Sequence, residues 1–369
     1  MADAYRDNLK IGFTTGTAAA AAAKAALLRL VCGSRPSQVP IQLLNGGRMD
    51  IPIHRCVLEE ASIAACIVIK DAGDDPDITH RAEIGARVSI ATGGAHPHPV
   101  VITGGKGVGR VTKPGLEVQV GKPAINPGPR KMITQAVADV LTAYSADLSV
   151  AVEIFVPEGE KLALKTLNAR LGILGGISIL GTTGVVRPMS HDAYIAAIKA
   201  SLSVAHACGV DRVVLTTGRR SERFAQKTWG GLREEAFIQM GDFFKRSIEA
   251  ATAAGFRKII LAAFFGKALK MAQGIAHTHA SRSRMSMRQL SEWTVCITGD
   301  MALAERILSA NTARHAYGMI DGRYPELIRH VGHQMVESAQ RFAGPAVDVQ
   351  GAVFDFNGRM VYRSEHMRM

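Results

Sequence analysis

The sequence predicts a mixed α/β protein in two domains, an α+β domain over residues 1–167 and an α/β domain over residues 168–369. The length of 369 residues exceeds what one small hydrophobic core usually serves. Up to residue 167, short apolar runs are separated by Gly, Pro and Asp turns at the spacing of hairpins. Beyond it, strand-like runs alternate with helical segments, which is the pattern of a mostly parallel sheet with helices on its faces.

The first domain begins with an alanine-rich helix, predicted over Ala18–Cys32. Thr17 can cap this helix with its side-chain oxygen, and Gly33 can end it in the left-handed conformation. The β-like runs that follow are VPIQLL, MDIPIH, ASIAACIVIK, ARVSIAT, PVVIT and LEVQV. A helix, PRKMITQAVADVLTAY, and a last strand, LSVAVEIFV, complete the domain.

The second domain is predicted to be a three-layer, Rossmann-like α/β fold with a mostly parallel sheet. A helix capped by Ser190 ends before Gly209. It is followed by the strand RVVLTTG, a helix over residues 234–254, the strand KIILAAFFG, and helices over residues 301–316 and 327–342. The tail VFDFNGRMVYR holds the pair Asn357–Gly358 between apolar runs, which predicts a C-terminal β-hairpin.

The charge pattern favours a small polyanionic partner over a nucleic acid. The net charge is +12, but the cations are dispersed and only 5% of the residues are aromatic. Nucleic-acid binders concentrate their cations in patches and often add aromatic side chains that stack on bases. We therefore expect no nucleic-acid partner.

Hydropathy and cysteine usage predict a cytoplasmic protein without a membrane segment. No uninterrupted apolar run reaches the ~20 residues that span a bilayer, and the start, MADAYRDNLK, lacks the apolar core of a signal peptide. The cysteines are scattered and form no CxxC pair, so we expect reduced thiols. They are Cys32, Cys56, Cys66, Cys208 and Cys296.

Two neighbouring segments rich in glycine and proline carry candidate anion-binding cations. GGKGVGRVTKPG lies between β-like runs and does not fit GxGxxG, so it is not a dinucleotide fingerprint. It is either a β-hairpin loop or a ligand loop whose glycines let backbone approach the ligand. GKPAINPGPRK follows it. Together they supply Lys106, Arg110, Lys113, Lys122, Arg130 and Lys131.

The segment KDAGDDPDITH is the candidate source of a general base. Its crowded carboxylates are expected to raise the pKa of at least one aspartate. Among Asp71, Asp74, Asp75 and Asp77, we favour Asp75, because Pro76 would fix its orientation, and His80 follows nearby. The alternative is an Asx-rich turn between strands with no catalytic role.

The tripeptide Thr-Thr-Gly occurs three times, at Thr14–Gly16, Thr182–Gly184 and Thr216–Gly218. In a parallel sheet, loops after the strands form the ligand crevice, which places TTGRRSE and FFGKALKMAQG at its mouth. Glu222 could bind ribose hydroxyls or act as a helix cap. The pairs His96/His98 and His277/His279 lack a nearby Cys or carboxylate, so we expect no protein-bound metal.

Seven blocks together resemble the cobalt-precorrin-5B C(1)-methyltransferase family, the CbiD type, of cobalamin biosynthesis. They are GFTTGTAAAAAAKAAL, KDAGDDPDITHRAEI, GGKGVGRVTKPGL, GKPAINPGPRKMI, LGILGGISILGTTGVVRPMS, VVLTTGRRSE and GKALKMAQGIAHTH, in the family's order from residue 12 to about 280. The resemblance implies methylation of carbon 1 of a corrin precursor with S-adenosylmethionine as the methyl donor.

The sequence departs from the family pattern in three places. Ala18 stands where cysteine is common, so a thiol there is not required. AAFFGK replaces a more usual glycine–histidine approach to Gly266–Lys267, and ASRSRMSM lacks an aspartate often found downstream.

The resulting hypothesis is an S-adenosylmethionine-dependent methyltransferase that acts on a polycarboxylate, tetrapyrrole-derived macrocycle. The alternative is a non-catalytic carrier or chaperone of a polyanionic corrin precursor. The sequence leaves the oligomeric state open and is compatible with a homo-oligomer.

Candidate residues follow from the residue types and the resemblance. The catalytic candidates are Asp75 and His80. The cofactor candidates are Gly181, Thr182, Thr183, Gly184, Thr217, Gly218 and Glu222. The substrate candidates are Thr15, Gly16, Thr17, Lys106, Arg110, Lys113, Lys122 and Arg130. Thr15–Thr17 would offer hydroxyls and helix N–H groups to a carboxylate, while simple tight packing of the alanine-rich helix is the alternative reading.

Overall fold

A computed structural model of the chain describes residues 9–92, 100–279 and 285–364. The chain divides into two compact units, Met1–Ser190 and His191–Met369. Residues 168–190, which follow the predicted boundary, lie with the first unit because their short strands pair with its N-terminal and central segments. Each unit has its own hydrophobic core.

The first unit combines a mixed sheet with three helices. Its strands are β1 (Gly12–Phe13), β2 (Gln38–Gln42), β3 (Arg48–Pro52), β4 (Arg55–Glu60), β5 (Ile63–Ile69), β6 (Glu83–Ala91), β7 (Val101–Gly104), β8 (Gly107–Val108), β9 (Arg110–Val111), β10 (Ser149–Phe155), β11 (Ile173–Leu174), β12 (Gly176–Ile177) and β13 (Val185–Val186). Its helices are α1 (Thr15–Cys32), α2 (Pro127–Ala143) and α3 (Gly159–Ala163). The main sheet has the order β4–β5–β6–β10–β7, with only β10 and β7 parallel.

Helix α1 forms the centre of the first unit's core. Its six consecutive alanines are fully buried, and it packs against α2 and the sheet strands β5 and β6. Small side chains permit this close approach, because Leu or Met at those positions would fill the space that the neighbours occupy. The helix is apolar and long enough to pass as a membrane span by composition alone, but 67% of it is buried inside the unit. Burial of this kind is typical of a core helix.

The start of α1 differs from the prediction. The cap is Thr14, whose side-chain oxygen accepts the N–H of Thr17 at 3.2 Å, and the helix begins at Thr15. Thr17 therefore lies inside the helix and does not cap it. The predicted end is confirmed, since Gly33 is left-handed with a φ of 68°.

Three further expectations for the first unit are wrong. The run LEVQV is not a strand, because Leu116 and Val118 turn into a small apolar cluster that includes Ile173. Strand β4 was not predicted, since it lies at the edge of the sheet with mostly exposed side chains. Cys56 and Cys66 are not free thiols: they face each other across β4 and β5 and form a disulfide.

The second unit alternates strands with helices. Its strands are β14 (Val213–Thr216), β15 (Phe237–Gln239), β16 (Lys258–Phe264), β17 (Asp348–Phe354) and β18 (Met360–Arg363). Its helices are α4 (His191–Ala207), α5 (Arg219–Thr228), α6 (Phe244–Ala253), α7 (Phe265–Ala272), α8 (Met287–Thr298), α9 (Met301–Leu308), α10 (Ala313–Ile320) and α11 (Pro325–Ala343), with a 3₁₀ turn at Glu234–Ala236.

The sheet of the second unit has the order β15–β14–β16–β17–β18. The first four strands are parallel, and β18 returns antiparallel through the predicted hairpin. Alternate residues of β14 enter two different cores, with Val213 and Leu215 in one and Val214 in the other. The prediction of a mostly parallel sheet is confirmed, and both of its faces are buried.

The predicted helix over residues 234–254 is wrong in its first half. Phe237 and Ile238 are buried in β15, which pairs with β14, so the helix α6 begins only at Phe244. Helix α5 was missed, and the predicted helix over residues 301–316 is two helices, the second capped by Thr312. In the first and last of these cases, a short strand or a helix cap interrupts an otherwise helical pattern.

Candidate functional site

The turn after β14 lies at the carboxyl edge of the parallel sheet. Strand β14 ends at Thr216, and Thr217 and Gly218 lead directly into α5. Gly218 has a φ of 151° and a ψ of −179°, a conformation that essentially only glycine adopts. A Cβ added at Gly218 would meet no atom within 4 Å. The turn is therefore open beside its backbone.

This turn also lies where the chain connections of the sheet diverge. From β14 the chain passes through α5 to β15 on one side, and from β16 it passes through α7–α11 to β17 on the other. Ligands of open α/β sheets bind outside the carboxyl ends of the strands at such a point. Thr217 and Gly218 thus occupy the position that the sequence predicted for them.

Glu222 is turned toward the interior of the second unit. Its side chain is buried, and Oε2 accepts a hydrogen bond from Gln239 Nε2 at 2.6 Å. The bond ties the first turn of α5 to the end of β15. This bond positions Glu222 beside β15 and tests neither of the two roles that the sequence left open, ribose contact and helix cap.

A polar cluster that the sequence did not predict lies at the same edge. Asp242 follows the end of β15, and Lys267 lies in the first turn of α7, directly after β16. Asp242 Oδ1 accepts hydrogen bonds from Lys267 Nζ and, at 3.0 Å, from Thr278 Oγ1. Lys267 Nζ and Lys270 Nζ each donate to the Thr278 carbonyl oxygen at 3.1 Å. We call the first two residues the Asp242–Lys267 pair.

The electrostatics of this cluster favour the ionised form of Asp242 and disfavour the protonated form of Lys270. Burial by itself would raise the pKa of Asp242, but the hydrogen bond and charge of Lys267, together with Thr278, lower it below its usual value. Burial and the nearby charge of Lys267 lower the pKa of Lys270. The side chains of Lys267 and Asp242 remain 32% and 25% exposed. A charged ligand can therefore reach the Asp242–Lys267 pair from solvent.

The predicted cofactor residues Gly181–Gly184 lie in the first unit. The N–H of Thr14 donates to the Gly184 carbonyl at 3.0 Å, and Thr17 Oγ1 donates to the same oxygen at 2.7 Å. The segment therefore covers the N-terminus of α1. Thr182 and Thr183 are exposed in it.

The predicted substrate contacts Thr15, Gly16 and Thr17 are buried. Thr15 Oγ1 accepts the N–H of Leu180 at 2.9 Å and donates to the carbonyl of the same residue at 3.2 Å. The N–H of Gly16 donates to that carbonyl as well, at 3.1 Å. These groups hold the segment around Leu180 against the N-terminus of α1. This agrees with the alternative that the helix start serves tight packing.

The glycines of GGKGVGRVTKPG bring backbone close to backbone. A Cβ on Gly176 or on Gly159 would lie 2.1 Å from the Gly107 carbonyl oxygen. Strands β8 and β9 pair with β12 and β11, not with each other, so the segment is not a simple hairpin. The close approaches of Gly107, Gly159 and Gly176 therefore allow the three chain segments that contain them to pack together.

The basic side chains of this region differ in what they contact. Lys106, Arg110 and Lys122 are exposed, and Arg110 donates to the Gly121 carbonyl. Lys113 Nζ donates to the Arg170 carbonyl at 3.1 Å. Arg110 forms an isolated β-bridge with Pro123, which places it beside Lys122.

Arg130 is half-buried at the start of α2. Its guanidinium donates to the carbonyls of Ile125 and Ile102 at 3.0 and 3.3 Å. Burial lowers the pKa of Arg130. These bonds fix the guanidinium to backbone oxygens.

The acidic loop does not raise the pKa of the aspartates for which a shift is resolved. The pKa of Asp71 is lowered by hydrogen bonds from Lys10 and from the Gly73 N–H. Burial opposes the same shift at Asp77, but the fully buried Lys70, at 2.6 Å from its Oδ2, and the bonds from Thr79 outweigh it. The expectation that crowding raises a pKa is wrong for these two, because each carboxylate has a cation and N–H donors of its own.

Asp75 and His80 keep polar atoms available within this loop. Asp75 Oδ1 accepts the N–H of Met189 at 2.8 Å, and its Oδ2 has no hydrogen-bond partner within the described ranges. His80 Nδ1 accepts the N–H of Ala72 at 3.1 Å, so the neutral ring carries its proton on Nε2. Both side chains are thus oriented by one backbone N–H.

Of the two histidine pairs, only His277/His279 lies among the described residues. His277 stacks on His191 with ring centroids 5.3 Å apart and meets Phe243 edge-on. His96 and His98 lie outside the described residues. Within residues 9–92, 100–279 and 285–364, no three His, Cys, Asp or Glu side chains converge to hold a metal ion.

Comparison with known proteins gives matches along nearly the whole chain. Residues 2–188 match the family model CbiD, and residues 277–365 match the model of the CbiD C-terminal domain. The chain is 44% identical over 361 residues to the cobalt-precorrin-5B C(1)-methyltransferase of Salinispora arenicola, covering 96% of this chain and 92% of the relative. A relative of the same name from Priestia megaterium is 42% identical over 351 residues, with 95% and 94% coverage.

A solved structure is also similar. It is the crystal structure of the cobalamin biosynthesis protein (cbiD) from Archaeoglobus fulgidus, 29% identical to this chain. The match covers 71% of this chain and 79% of that one, with a TM-score of 0.40.

Proposed function

The chain belongs to the CbiD family, and from this premise we propose that it methylates carbon 1 of a cobalt-precorrin-5 macrocycle in cobalamin biosynthesis. The observation that carries the proposal is the full-length identity of about 44% to proteins named for that reaction. Coverage of more than nine-tenths of both chains means that neither unit is missing from the comparison.

The methyl donor of the proposal is S-adenosylmethionine, which supplies an electrophilic methyl group when bound. The second unit fits this donor at the turn after β14, where the space beside Gly218 is open and the hydroxyl of Thr217 is half-buried. We assign this unit a three-layer, Rossmann-like architecture, supported by the helices packed on both faces of its sheet. In the first unit, the exposed Thr182 and Thr183 remain candidate cofactor contacts.

The substrate of the proposal carries carboxylate arms, and the first unit supplies cations for them. Lys106, Arg110 and Lys122 are exposed and can reach an anion, whereas Lys113 and Arg130 are anchored to backbone carbonyls. Charge-assisted hydrogen bonds contribute about 1.5–3 kcal/mol each. Binding of the macrocycle should therefore weaken as salt concentration rises.

The chain's own contribution to the reaction is alignment and proton transfer. Methyl transfer to carbon is a direct displacement, so no side chain needs to act as a nucleophile. Holding the reacting carbons at near-attack distance lowers the entropic barrier. The proposal gives Asp75 the role of general base. Its Oδ2, which has no hydrogen-bond partner among the described residues, can take a proton while Oδ1 keeps the hydrogen bond from the Met189 N–H. His80 belongs to the same loop, where its Nδ1 accepts the N–H of Ala72.

The rival function is a carrier or chaperone of a corrin precursor that transfers nothing. The decisive experiment incubates the protein with a cobalt-precorrin-5 substrate and S-adenosylmethionine labelled in its methyl group. The proposal requires stoichiometric label at carbon 1 of the macrocycle and formation of S-adenosylhomocysteine. Tight binding of the macrocycle without label transfer would establish the carrier. The cytoplasm is the proposed location, and a homo-oligomer is compatible with the proposal.

A further inference from the structure

We propose that the Asp242–Lys267 pair binds the amino acid end of the methyl donor. This inference rests on the proposed function, because it assumes that the second unit holds S-adenosylmethionine. The amino acid end of that molecule carries one carboxylate and one ammonium group on the same carbon. A lysine and an aspartate held side by side present the complementary charges.

The position of the pair follows from the sheet topology. Asp242 follows β15 and Lys267 follows β16, and these two strands flank β14. The pair therefore crosses the carboxyl end of β14, the strand that leads into the open turn at Gly218. The N–H of Met240 donates to the Thr216 carbonyl at 2.8 Å, which fixes the loop carrying Asp242 to the end of β14.

The hydrogen bonds of the pair leave capacity for a ligand. Asp242 uses Oδ1 for its bonds from Lys267 and Thr278, and its Oδ2 has no partner in the part of the chain that the structure describes. Lys267 Nζ donates to Asp242 and to the Thr278 carbonyl at 3.1 Å, while its contact with Thr278 Oγ1 is long at 3.4 Å. One acceptor oxygen and one ammonium donor thus remain for an α-ammonium and an α-carboxylate.

The same strand provides a matched control pair at the other edge of the sheet. Lys258 begins β16, and its Nζ lies 3.8 Å from Asp211 Oδ2. Both pairs join one lysine to one aspartate in the same unit. Only the Asp242–Lys267 pair lies at the carboxyl edge, where ligands of parallel sheets bind.

The test measures two ligands by calorimetry. S-adenosylhomocysteine keeps the amino acid end, and 5′-methylthioadenosine lacks it. We expect Lys267→Met and Asp242→Asn each to weaken binding of S-adenosylhomocysteine about tenfold, because each removes a charge-assisted hydrogen bond. Binding of 5′-methylthioadenosine should stay nearly unchanged. Lys258→Met and Asp211→Asn should leave the affinity for both ligands unchanged.

The result is read as the ratio of the dissociation constants for the two ligands. A smaller folded fraction affects both measurements equally, so it leaves this ratio unchanged. Lys267→Arg, which keeps the charge, should restore most of the preference for S-adenosylhomocysteine. An unchanged ratio in both Lys267→Met and Asp242→Asn would overturn the inference and leave the methyltransferase proposal intact. Failure of the unaltered protein to bind either ligand would overturn the inference and the cofactor assignment together.

Discussion

The three Thr-Thr-Gly tripeptides are identical in sequence and differ in their surroundings. A Cβ on Gly16 would lie 2.6 Å from Pro129 Cγ, and one on Gly184 would lie 2.8 Å from Leu43 Cδ2. A Cβ on Gly218 would meet nothing within 4 Å. The two copies in the first unit are therefore packed against the fold, and the copy in the second unit is open. A glycine motif indicates a ligand loop only where the space beside it is empty.

The same contrast applies to the polar groups near these turns. In the first unit, the hydroxyls of Thr15 and Thr17 are bonded to backbone, and Asp77 is paired with the buried Lys70. In the second unit, the Asp242–Lys267 pair is partly exposed. Most polar side chains of the first unit that we described support its fold, which makes the exceptions the better candidates for chemistry.

Asp75 is the exception with the largest expected effect. Asp75→Asn keeps the shape that accepts the Met189 N–H but removes the proton acceptor, so we expect the single-turnover rate of methyl transfer to fall about 10²–10⁴-fold. The melting temperature should stay unchanged. Asp74→Asn is the matched control, since that exposed carboxylate accepts the Lys10 N–H. Full activity of Asp75→Asn would assign the whole acidic loop to the fold.

Removal of Lys70 should produce the largest loss of stability. Lys70→Met leaves the partly buried carboxylate of Asp77 without its cation, and we expect about 2–3 kcal/mol of destabilisation in urea unfolding, less than for a fully buried pair because Asp77 is 26% exposed. Lys10→Met removes an exposed partner of Asp71 and should cost under about 1 kcal/mol. Equal effects of the two substitutions would contradict the difference in burial.

Alanine at Gly16 and at Gly218 tests the comparison directly. Gly16→Ala forces a shift at the rigid ring of Pro129, and we expect about 1–3 kcal/mol of destabilisation from overpacking. Gly218→Ala has no clash to relieve but incurs backbone strain, about 1–3 kcal/mol, and should in addition weaken binding of S-adenosylhomocysteine. Gly16→Ala should leave that affinity unchanged in the folded fraction. Calorimetry alongside thermal melting separates the two, and the reverse pattern would place the cofactor in the first unit.

Much of the fold could be predicted from the sequence because it follows local patterns. The parallel strands β14 and β16 contain continuous apolar runs, and the pair Asn357–Gly358 marks the hairpin between β17 and β18. The errors arose where tertiary contacts decide. Leu116 and Val118 of LEVQV pack into a small apolar cluster with Ile173 instead of forming a strand. Strand β15 has only three residues, too few for an alternating pattern to stand out from the helical pattern around it.

The candidate site was predicted less completely, for a physical reason. Asp242 and Lys267 are far apart in sequence and meet only because β14 is flanked by β15 and β16. Lys267 directly follows the predicted strand KIILAAFFG, which is a signal for the carboxyl edge, whereas Asp242 lies in the segment that was predicted to be helical. The burial of Thr15 could not be read in this way, because it depends on Ser178 and Leu180, which pack against it from a distant part of the chain.

The smallest expected effect concerns the pH dependence of stability in the first unit. Lys70 and Thr79 lower the pKa of Asp77 in the folded state below the 3.8 of the free side chain. A carboxyl group with a depressed folded pKa stabilises the fold at pH values above its unfolded pKa, and this contribution is lost as the pH falls through the folded pKa. We therefore expect the free energy of unfolding to decline below about pH 4, partly through Asp77.

Lys70→Met should change the sign of that contribution. Without the ammonium group, the burial of Asp77 favours the neutral carboxyl, so its folded pKa should rise above the unfolded value. As the pH falls toward 4, the Asp77 carboxylate would then bind a proton more tightly in the folded state than in the unfolded state. This would reduce the destabilisation caused by the substitution. Urea unfolding between pH 3.5 and pH 7, roughly the range in which carboxyl groups titrate in proteins, measures the difference between the two proteins. A constant difference across that range would show that Asp77 is not held ionised by Lys70. With Asp77→Asn introduced into both proteins, the difference between them should no longer depend on pH.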